Sequence, residues 1–357
     1  MSATNLLTGT NCLRVAMVAL AAGCSSPIPA KKSEPVFYPE PPAMPRVQYL
    51  TSISSESDLG RTHGKWLQFV VGEGPPADPL VKPYGVTVHE NKIFVCDTVD
   101  RSIAIFNLAG KRMTRWIPRG EAKFQLPVGL DFDADGRAFV ADANRGAVLI
   151  FDHSRKFTNT LSEEGMKPAA VAVAQERVYV ADVSHHNVAV FDRASLHKLF
   201  TVPRDNDNPE ARLFTPTNLA LDSSNHLFVS DTGAFHIQEY DHDGRWLRNM
   251  GMEGDSPGQF ARPKGVAVDR AGRIYVVDAA AQVVQVFSPD GQLLMYFGGP
   301  DGGGHELSLP AGIAIDYDNV ERFRPLIAPN FSVEYLVLVS SQYGDNKINI
   351  YGFGHQQ

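Results

Sequence analysis

The stretch Pro-Lys-Gly-Val-Ala-Val-Asp (263–269), continued by Gly-Arg-Ile-Tyr-Val-Val-Asp (272–278) and Val-Val-Gln-Val-Phe (283–287), is one copy of a unit that occurs six times. Each copy begins with a proline, and successive prolines are 44, 41, 48, 47 and 47 residues apart. Short strands repeated with a period in the forties are typical of β-propeller blades. The sequence therefore predicts an all-β, six-bladed β-propeller. The six prolines are Pro83, Pro127, Pro168, Pro216, Pro263 and Pro310.

The second strand of each unit ends in an aspartate in five copies, 14 or 15 residues after the proline. The sixth copy has Ser340 or Ser341 instead and carries an insertion at roughly 319–330. Because the acids recur with the fold, we interpret them as acceptors of backbone N–H bonds rather than as catalytic or metal-binding groups. These aspartates are Asp97, Asp142, Asp182, Asp231 and Asp278.

A fourth, outer strand follows the third strand in only five of the six units. The chain ends at Gln357, soon after the third strand of the last unit at 348–351, and a strand-like segment lies at 47–53, before the first unit. We expect segment 47–53 to pair with 348–351 and close the ring, which gives a propeller over residues 46–354. The alternative is that 47–53 is a loose linker.

The motifs at 263–269, 272–278 and 283–287 resemble NHL repeats, and weaker copies extend the resemblance over about residues 80–352. The segment Pro-Arg-Val-Gln-Tyr-Leu (45–50) is similar to the lead-in of bacterial NHL-repeat lipoproteins. The resemblance implies a six-bladed propeller. It leaves activity open, because some NHL propellers are lyases with a metal near the channel.

The N-terminus has the pattern of a signal peptide, residues 1–23. Its apolar run, 15–23, is too short to span a bilayer core of about 30 Å. The sequence Ala-Ala-Gly-Cys (21–24) resembles a bacterial lipobox, which implies that Cys24 carries lipid and becomes the mature N-terminus. An ordinary signal peptide with an incidental cysteine is the alternative.

Residues 24–45 are rich in proline, and this composition predicts an extended tether between the lipid and the propeller. The sequence thus predicts a lipid-anchored protein of the bacterial cell envelope, whose membrane partner is engaged through lipid on Cys24. Ser25 follows the cysteine, and the resemblance to lipoproteins then favours the outer membrane.

Cysteine content and charge limit the other possibilities. Of three cysteines only Cys96 belongs to the propeller, so no disulfide within the mature chain is expected. Removal of residues 1–23 leaves 32 basic and 40 acidic residues. An acidic balance of this size gives no basic footprint for nucleic acid, and we expect none as a partner.

The turns after the second strands differ from blade to blade, although the fold requires only turns at these positions. Variable loops on a constant scaffold are typical of a ligand or partner surface. We therefore predict that this face of the propeller binds a protein or an envelope ligand. The candidate residues of the face are Asp100, Arg101, Arg145, His185, His186, His236 and Tyr343.

His185, His186 and His236 are on adjacent blades and are the weak candidates for a divalent metal site. No cofactor is predicted otherwise, and no catalytic residue is identified, because no nucleophile elbow, phosphate loop or paired carboxylate occurs. The preferred function is a non-enzymatic binding or scaffold module. The alternative is an NHL-type lyase or hydrolase with a metal-assisted site at the channel mouth.

Overall fold

A computed structural model describes residues 34–60, 78–204, 208–300 and 304–357 and contains six antiparallel sheets. Each sheet is one blade, and the predicted six-bladed β-propeller is confirmed. The inner strands are β3 (Pro83–His89), β7 (Pro127–Phe132), β11 (Pro168–Val173), β15 (Pro216–Leu221), β19 (Pro263–Val268) and β23 (Pro310–Asp316). The second strands are β4 (Lys92–Asp97), β8 (Ala138–Asp142), β12 (Arg177–Asp182), β16 (Leu227–Asp231), β20 (Ile274–Asp278) and β24 (Phe331–Ser341).

The third and outer strands complete the blades. The third strands are β5 (Ser102–Asn107), β9 (Ala147–Phe151), β13 (Asn187–Asp192), β17 (His236–Tyr240), β21 (Val283–Phe287) and β25 (Ile348–Gln356). The outer strands are β6 (Arg112–Trp116), β10 (Phe157–Leu161), β14 (Lys198–Val202), β18 (Trp246–Met250), β22 (Leu293–Gly298) and, in blade 6, β2 (Val47–Ile53) with β1 (Phe37–Tyr38).

The hydrophobic core lies between neighbouring blades, because each sheet buries apolar side chains on both of its faces. Between blades 1 and 2, for example, Phe94 and Cys96 pack with Val140 and Phe151. Cys96 is fully buried, and burial raises the pKa of its thiol far above the usual value. A thiol in this state is a filler of the core rather than a nucleophile.

Strand β2 closes the ring as predicted. It pairs antiparallel with β25, with Val47 opposite Phe353 and Ile53 opposite Ile348. This pairing gives blade 6 its outer strand from the N-terminal part of the chain. The last blade thereby avoids an unpaired third strand at its edge.

The described part of the predicted tether differs from expectation. Phe37 and Tyr38 form β1, which pairs with β2, and the Phe37 ring lies 5.3 Å from that of Phe331. Tyr38 also contacts Phe297 and Tyr351, with ring centroids 6.3 Å apart in both pairs. These aromatic contacts make residues from 35 onward part of the propeller. Cys24, the signal peptide and the rest of the tether lie outside the described residues.

The sixth blade carries the predicted insertion on the loop between β23 and β24. It contains a short helix, Val320–Phe323, followed by one 3-10 turn, Arg324–Leu326. The loop is tied to the closing strand, because the side-chain amide of Gln48 donates to the carbonyl of Leu326 at 3.0 Å. Within the described residues, no helix has the length and apolar character needed to cross a membrane.

The inner strands contact one another in a closed ring around the central channel. Glycine at the second position after the proline permits this approach in four blades. A Cβ on Gly85 would lie 2.6 Å from the carbonyl oxygen of Val128 in the next blade, and one on Gly265 would lie 2.7 Å from that of Ala311. Blades 1 and 5 therefore require glycine at this position for packing, whereas blades 3 and 4 have Ala170 and Asn218 there.

Candidate functional site

The aspartates that end the second strands connect two loops at the same end of each blade. In blade 5, Asp278 accepts N–H bonds from Ala261 at 2.7 Å and Arg262 at 3.0 Å, just before the inner strand. It also accepts bonds from Ala280 at 3.0 Å and Ala281 at 3.1 Å, in the turn after the second strand. The structural interpretation of these acids is confirmed. The other four that bridge the loops in this way are Asp97, Asp142, Asp182 and Asp231.

Blade 6 has a serine at the equivalent position. The register pairs Ser341 with Pro310, so Ser341 rather than Ser340 takes the place of the aspartate. Its hydroxyl accepts an N–H bond from Ser308 at 3.1 Å. Ser341 thus holds only the loop before the inner strand with its neutral side chain. The turn after the second strand is joined to that loop by backbone bonds, from Gln342 N–H to Leu309 and from Tyr343 N–H to Ser308.

These bonds hold the loops after the second strands beside the loops before the inner strands, and we call this surface the mouth face. All seven residues predicted to contact a partner are located there, in turns or at the first residue of a third strand. The contacts that these residues make, however, differ from blade to blade. The seven are Asp100, Arg101, Arg145, His185, His186, His236 and Tyr343.

Two of the predicted residues make defined contacts near blade 1. Asp100 Oδ2 lies 3.3 Å from a guanidinium nitrogen of Arg115, which ties this turn to the outer strand. The Tyr343 side chain, from blade 6, is 52% exposed, and Lys82 Nζ lies 5.2 Å from its ring centroid. Arg101 is exposed and has a positive φ of 55°. The structure thus brings Tyr343 next to a cation that sequence analysis did not select.

The three histidines are not brought together. Each imidazole has a different partner, and burial lowers the pKa of His236 below its usual value. In the described parts of the chain, no three His, Cys, Asp or Glu residues are grouped in a way that could hold a metal ion. The partners are Asp182 for His185 at 2.5 Å, the carbonyl oxygen of Phe214 for His186, and the side-chain amide of Gln238 for His236 at 3.0 Å.

Sequence analysis missed a group of cations next to the repeat prolines. Of the twelve positions directly before or after the six prolines, four hold Lys or Arg and none holds an acid. Among the described residues, none of the four forms an ion pair. The sequence could have located them, because each inner strand begins at the channel mouth with its repeat proline, and a residue next to that proline must lie at the mouth. We call these four the mouth cations: Lys82, Lys167, Arg262 and Lys264.

Two of the mouth cations influence each other at the start of the blade 5 inner strand. Burial, with a smaller contribution from the charge of Arg262, lowers the pKa of the Lys264 ammonium to about 8. Burial raises the pKa of Tyr84, at the matching position of blade 1, to about 12, and Arg262 opposes this shift. The repeat aspartates lie at the same loops, but among the described residues none of them forms an ion pair with a mouth cation.

Besides Asp316 at the end of β23, one acid lies on an inner strand, further from the mouth than the mouth cations. Asp131, on β7, accepts N–H bonds from Phe132 and Val173, both at 2.8 Å. Burial raises the pKa of this carboxyl to about 6, with a smaller contribution from Asp133. Asp131 therefore exchanges its proton near neutral pH.

The mouth face also exposes apolar side chains. Six large hydrophobic residues on it are each about half exposed, in the loops of blades 1, 4, 5 and 6 and the segments that join blades. One of them, Tyr343, lies beside a mouth cation, since Lys82 Nζ is 5.2 Å from its ring centroid. The six are Val81, Val99, Ile117, Phe214, Met252 and Tyr343.

A comparison with family models matches residues 260–287 to the NHL repeat. No curated protein sequence matches the chain significantly. The matched repeat is the one in blade 5 that contains Arg262 and Lys264. The chain thus contains an NHL repeat within a six-bladed propeller.

Many solved structures share the fold. A structural genomics protein of unknown function from Bacteroides thetaiotaomicron matches with a TM-score of 0.58 and 16% identity, over 86% of this chain and 75% of that one. Virginiamycin B lyase from Staphylococcus aureus matches with a TM-score of 0.51 and 14% identity, over 76% and 85%. Regucalcin from Agrobacterium tumefaciens, a calcium-binding protein, has a TM-score of 0.51 and 13% identity, over 78% and 92%. At these identities the likeness shows the fold alone.

Proposed function

We propose that this protein is a lipid-anchored binding module of the bacterial cell envelope, whose mouth face captures a partner with acidic groups. The observation that carries the proposal is the set of four mouth cations without ion pairs within the described residues. An acidic partner would supply the missing countercharge, and the exposed apolar residues around the mouth would add buried area.

The proposed anchor rests on the sequence around Cys24, which resembles a lipobox. The described chain begins near Pro35 on the outer edge of blade 6, away from the channel. Lipid on Cys24 would concentrate the propeller at a membrane, where binding gains from a high local concentration of partners.

The proposal is tested by site-specific photo-crosslinking in intact cells. A photoreactive residue at Tyr343, on the mouth face, is expected to give a discrete adduct. The same residue at Asn225, an exposed turn position on the opposite rim, is the matched control and is expected to give none. An adduct from Asn225 but not from Tyr343 would show that the partner binds the opposite rim and would contradict the proposed mouth face.

The charge requirement is tested with a second variant in the Tyr343 crosslinking background. Lys82→Gln, Lys167→Gln, Arg262→Gln and Lys264→Met together are expected to reduce the adduct by about tenfold or more, since each removes a potential charge-assisted contact. These side chains make no ion pair within the described residues, so the melting temperature is expected not to fall, and to rise where Lys264→Met removes a partly buried charge. An undiminished adduct would contradict the proposed acidic partner.

The alternative function, a lyase or hydrolase at the channel mouth, is favoured by one observation. Asp131 lies on a channel-forming strand and its pKa of about 6 suits general acid–base chemistry near neutral pH. A metal-assisted version requires bound divalent metal. Metal analysis of the purified protein, and crosslinking from Tyr343 with and without a chelator, distinguish the two. Stoichiometric bound metal, together with a lyase or hydrolase activity that a chelator abolishes, would favour the enzyme over the binding module.

A further inference from the structure

A cavity of about 390 Å³ lies on the rim opposite the mouth face, between blades 1 and 2. Its floor is aromatic and apolar, formed by Phe94, Ile105 and Phe132. One wall is His89, whose ring stacks on Phe132 with 4.3 Å between centroids and 7° between planes. A concave apolar surface of this volume with a few polar groups is the usual form of a small-molecule site.

Blade 1 departs from the repeat at this point. Its turn between inner and second strands has only Glu90 and Asn91, with φ of 47° and 61°, whereas blades 2 and 5 use five residues, 133–137 and 269–273. Four other blades have an aspartate where blade 1 has His89. In each of them the aspartate accepts hydrogen bonds from N–H groups of the turn that follows it. These are Asp133, Asp222, Asp269 and Asp316.

The two-residue turn removes the need for that aspartate, because it has no extra N–H groups to satisfy. His89 turns toward the next blade instead and stacks on Phe132. The short turn also covers less of the groove between the blades, and the cavity lies there. Folding of the repeat therefore does not require histidine at position 89.

The charges at the cavity do not cancel. Lys92 Nζ lies 3.3 Å from Glu90, so this pair is internally balanced. Asp152 accepts two N–H bonds within its own turn, both at 2.9 Å. Arg112 and Arg155 are exposed at the cavity and form no ion pair within the described parts of the chain. With the Glu90–Lys92 pair balanced and the Asp152 carboxylate offsetting one of the two arginines, the lining keeps an excess of one positive charge.

We propose that this cavity binds a small planar aromatic molecule that carries one carboxylate or similar anionic group. The ring packs against the exposed part of the stacked His89–Phe132 pair, and the anion accepts charge-assisted bonds from Arg112 and Arg155. Stacking selects flat molecules over saturated ones, and the guanidinium groups select anions. This site is separate from the mouth face, and it does not depend on the proposed function.

The test measures binding of 2-naphthoate to the purified protein by titration calorimetry. The charge variant is Arg112→Gln with Arg155→Asn, because Arg155 has a φ of 65° that asparagine tolerates. The blocking variant is Thr114→Trp, at an exposed cavity-lining position on β6. The matched control replaces two exposed arginines elsewhere, Arg119→Gln with Arg245→Gln.

Saturable binding to the native protein and the control variant is expected. The charge variant is expected to bind about tenfold more weakly, and the blocking variant is expected to lose binding. The cationic analogue 2-naphthylmethylammonium is expected to bind at least about tenfold more weakly than 2-naphthoate. Absence of saturable binding to the native protein overturns the proposal. Equal affinity of the charge variant or of the cation overturns the anionic class, and full binding by the blocking variant overturns the location.

Discussion

At the residue scale, Lys264 is a partly buried cation that forms no ion pair among the described residues, and its pKa is lowered. The repeat aspartates are fully engaged, since each accepts backbone N–H bonds from two loops. Lys264 follows a repeat proline, is half-buried, and has Arg262 rather than an acid as its nearest charged influence. Its ammonium is therefore stabilised less in the folded protein than in water, which is why its pKa falls.

This depressed pKa predicts a pH-dependent stability. The unfolded chain holds the lysine proton up to about pH 10.5, whereas the folded protein releases it near pH 8. The cost of Lys264 to the folded state is thus fully present below pH 8, and stability recovers between pH 8 and 10.5. Lys264→Met is expected to stabilise the protein at pH 7 by about 1–2 kcal/mol, less than the full pKa shift implies because the side chain keeps contact with solvent.

Urea unfolding at pH 7 and pH 9.5 measures this difference, which is expected to shrink at the higher pH. Lys156→Met, at an exposed turn position, is the control and is expected to change stability little at either pH. An equal stabilisation by Lys264→Met at both pH values, or a destabilisation at pH 7, would contradict the assigned environment.

At the element scale, ring closure depends on β2. This strand supplies the outer edge of blade 6, and its Ile53 is 2% exposed in the core between blades 6 and 1. Strand β1 then covers the outer side of β2. The N-terminal segment is consequently part of the last blade rather than a spacer that precedes it.

Deletion of residues 1–54 is expected to leave β25 unpaired, to lower the melting temperature by about 10 °C or more, and to promote self-association through the open edge. Calorimetry and light scattering measure both effects. Deletion of residues 1–34 is the matched control, because it preserves β1 and β2, and it is expected to leave the melting temperature unchanged. A stable monomer after the longer deletion would show that the pairing of β2 with β25 contributes little.

At the scale of the whole molecule, the propeller presents two distinct surfaces. The mouth face carries four cations without described ion pairs and exposed apolar residues, and the opposite rim carries the cavity near His89. The anchor proposed at Cys24 would decide where in the cell these surfaces act. It does not alter the folded domain, since the described propeller begins at about residue 35.

Cys24→Ser is expected to abolish lipidation and to move the protein from the membrane fraction to the soluble envelope fraction. Incorporation of labelled palmitate followed by fractionation measures this. Cys12→Ser, within the predicted signal peptide, is the control and is expected to retain both the label and the membrane fraction. Labelling that survives Cys24→Ser would contradict the proposed anchor.

The sequence by itself determined the number of blades, the order of strands within each blade, the closing segment and the role of the repeat aspartates. Each of these depends on short-range patterns, such as alternation within a strand, a proline at its start and an acid 14 or 15 residues later. Six copies of the same local pattern reinforce one another, so the fold can be inferred without knowing any contact between blades.

Only the tertiary structure decided which residues of different blades become neighbours. Tyr84 and Arg262 are far apart in sequence, yet the closed ring brings their inner strands to the same channel mouth, where Arg262 influences the Tyr84 pKa. His89 similarly meets Phe132 only because blades 1 and 2 pack together. His185, His186 and His236, in contrast, occupy turns of adjacent blades in the sequence, but each imidazole contacts a different partner. Long-range packing, not local periodicity, sets these distances, and for that reason the sites required the folded molecule.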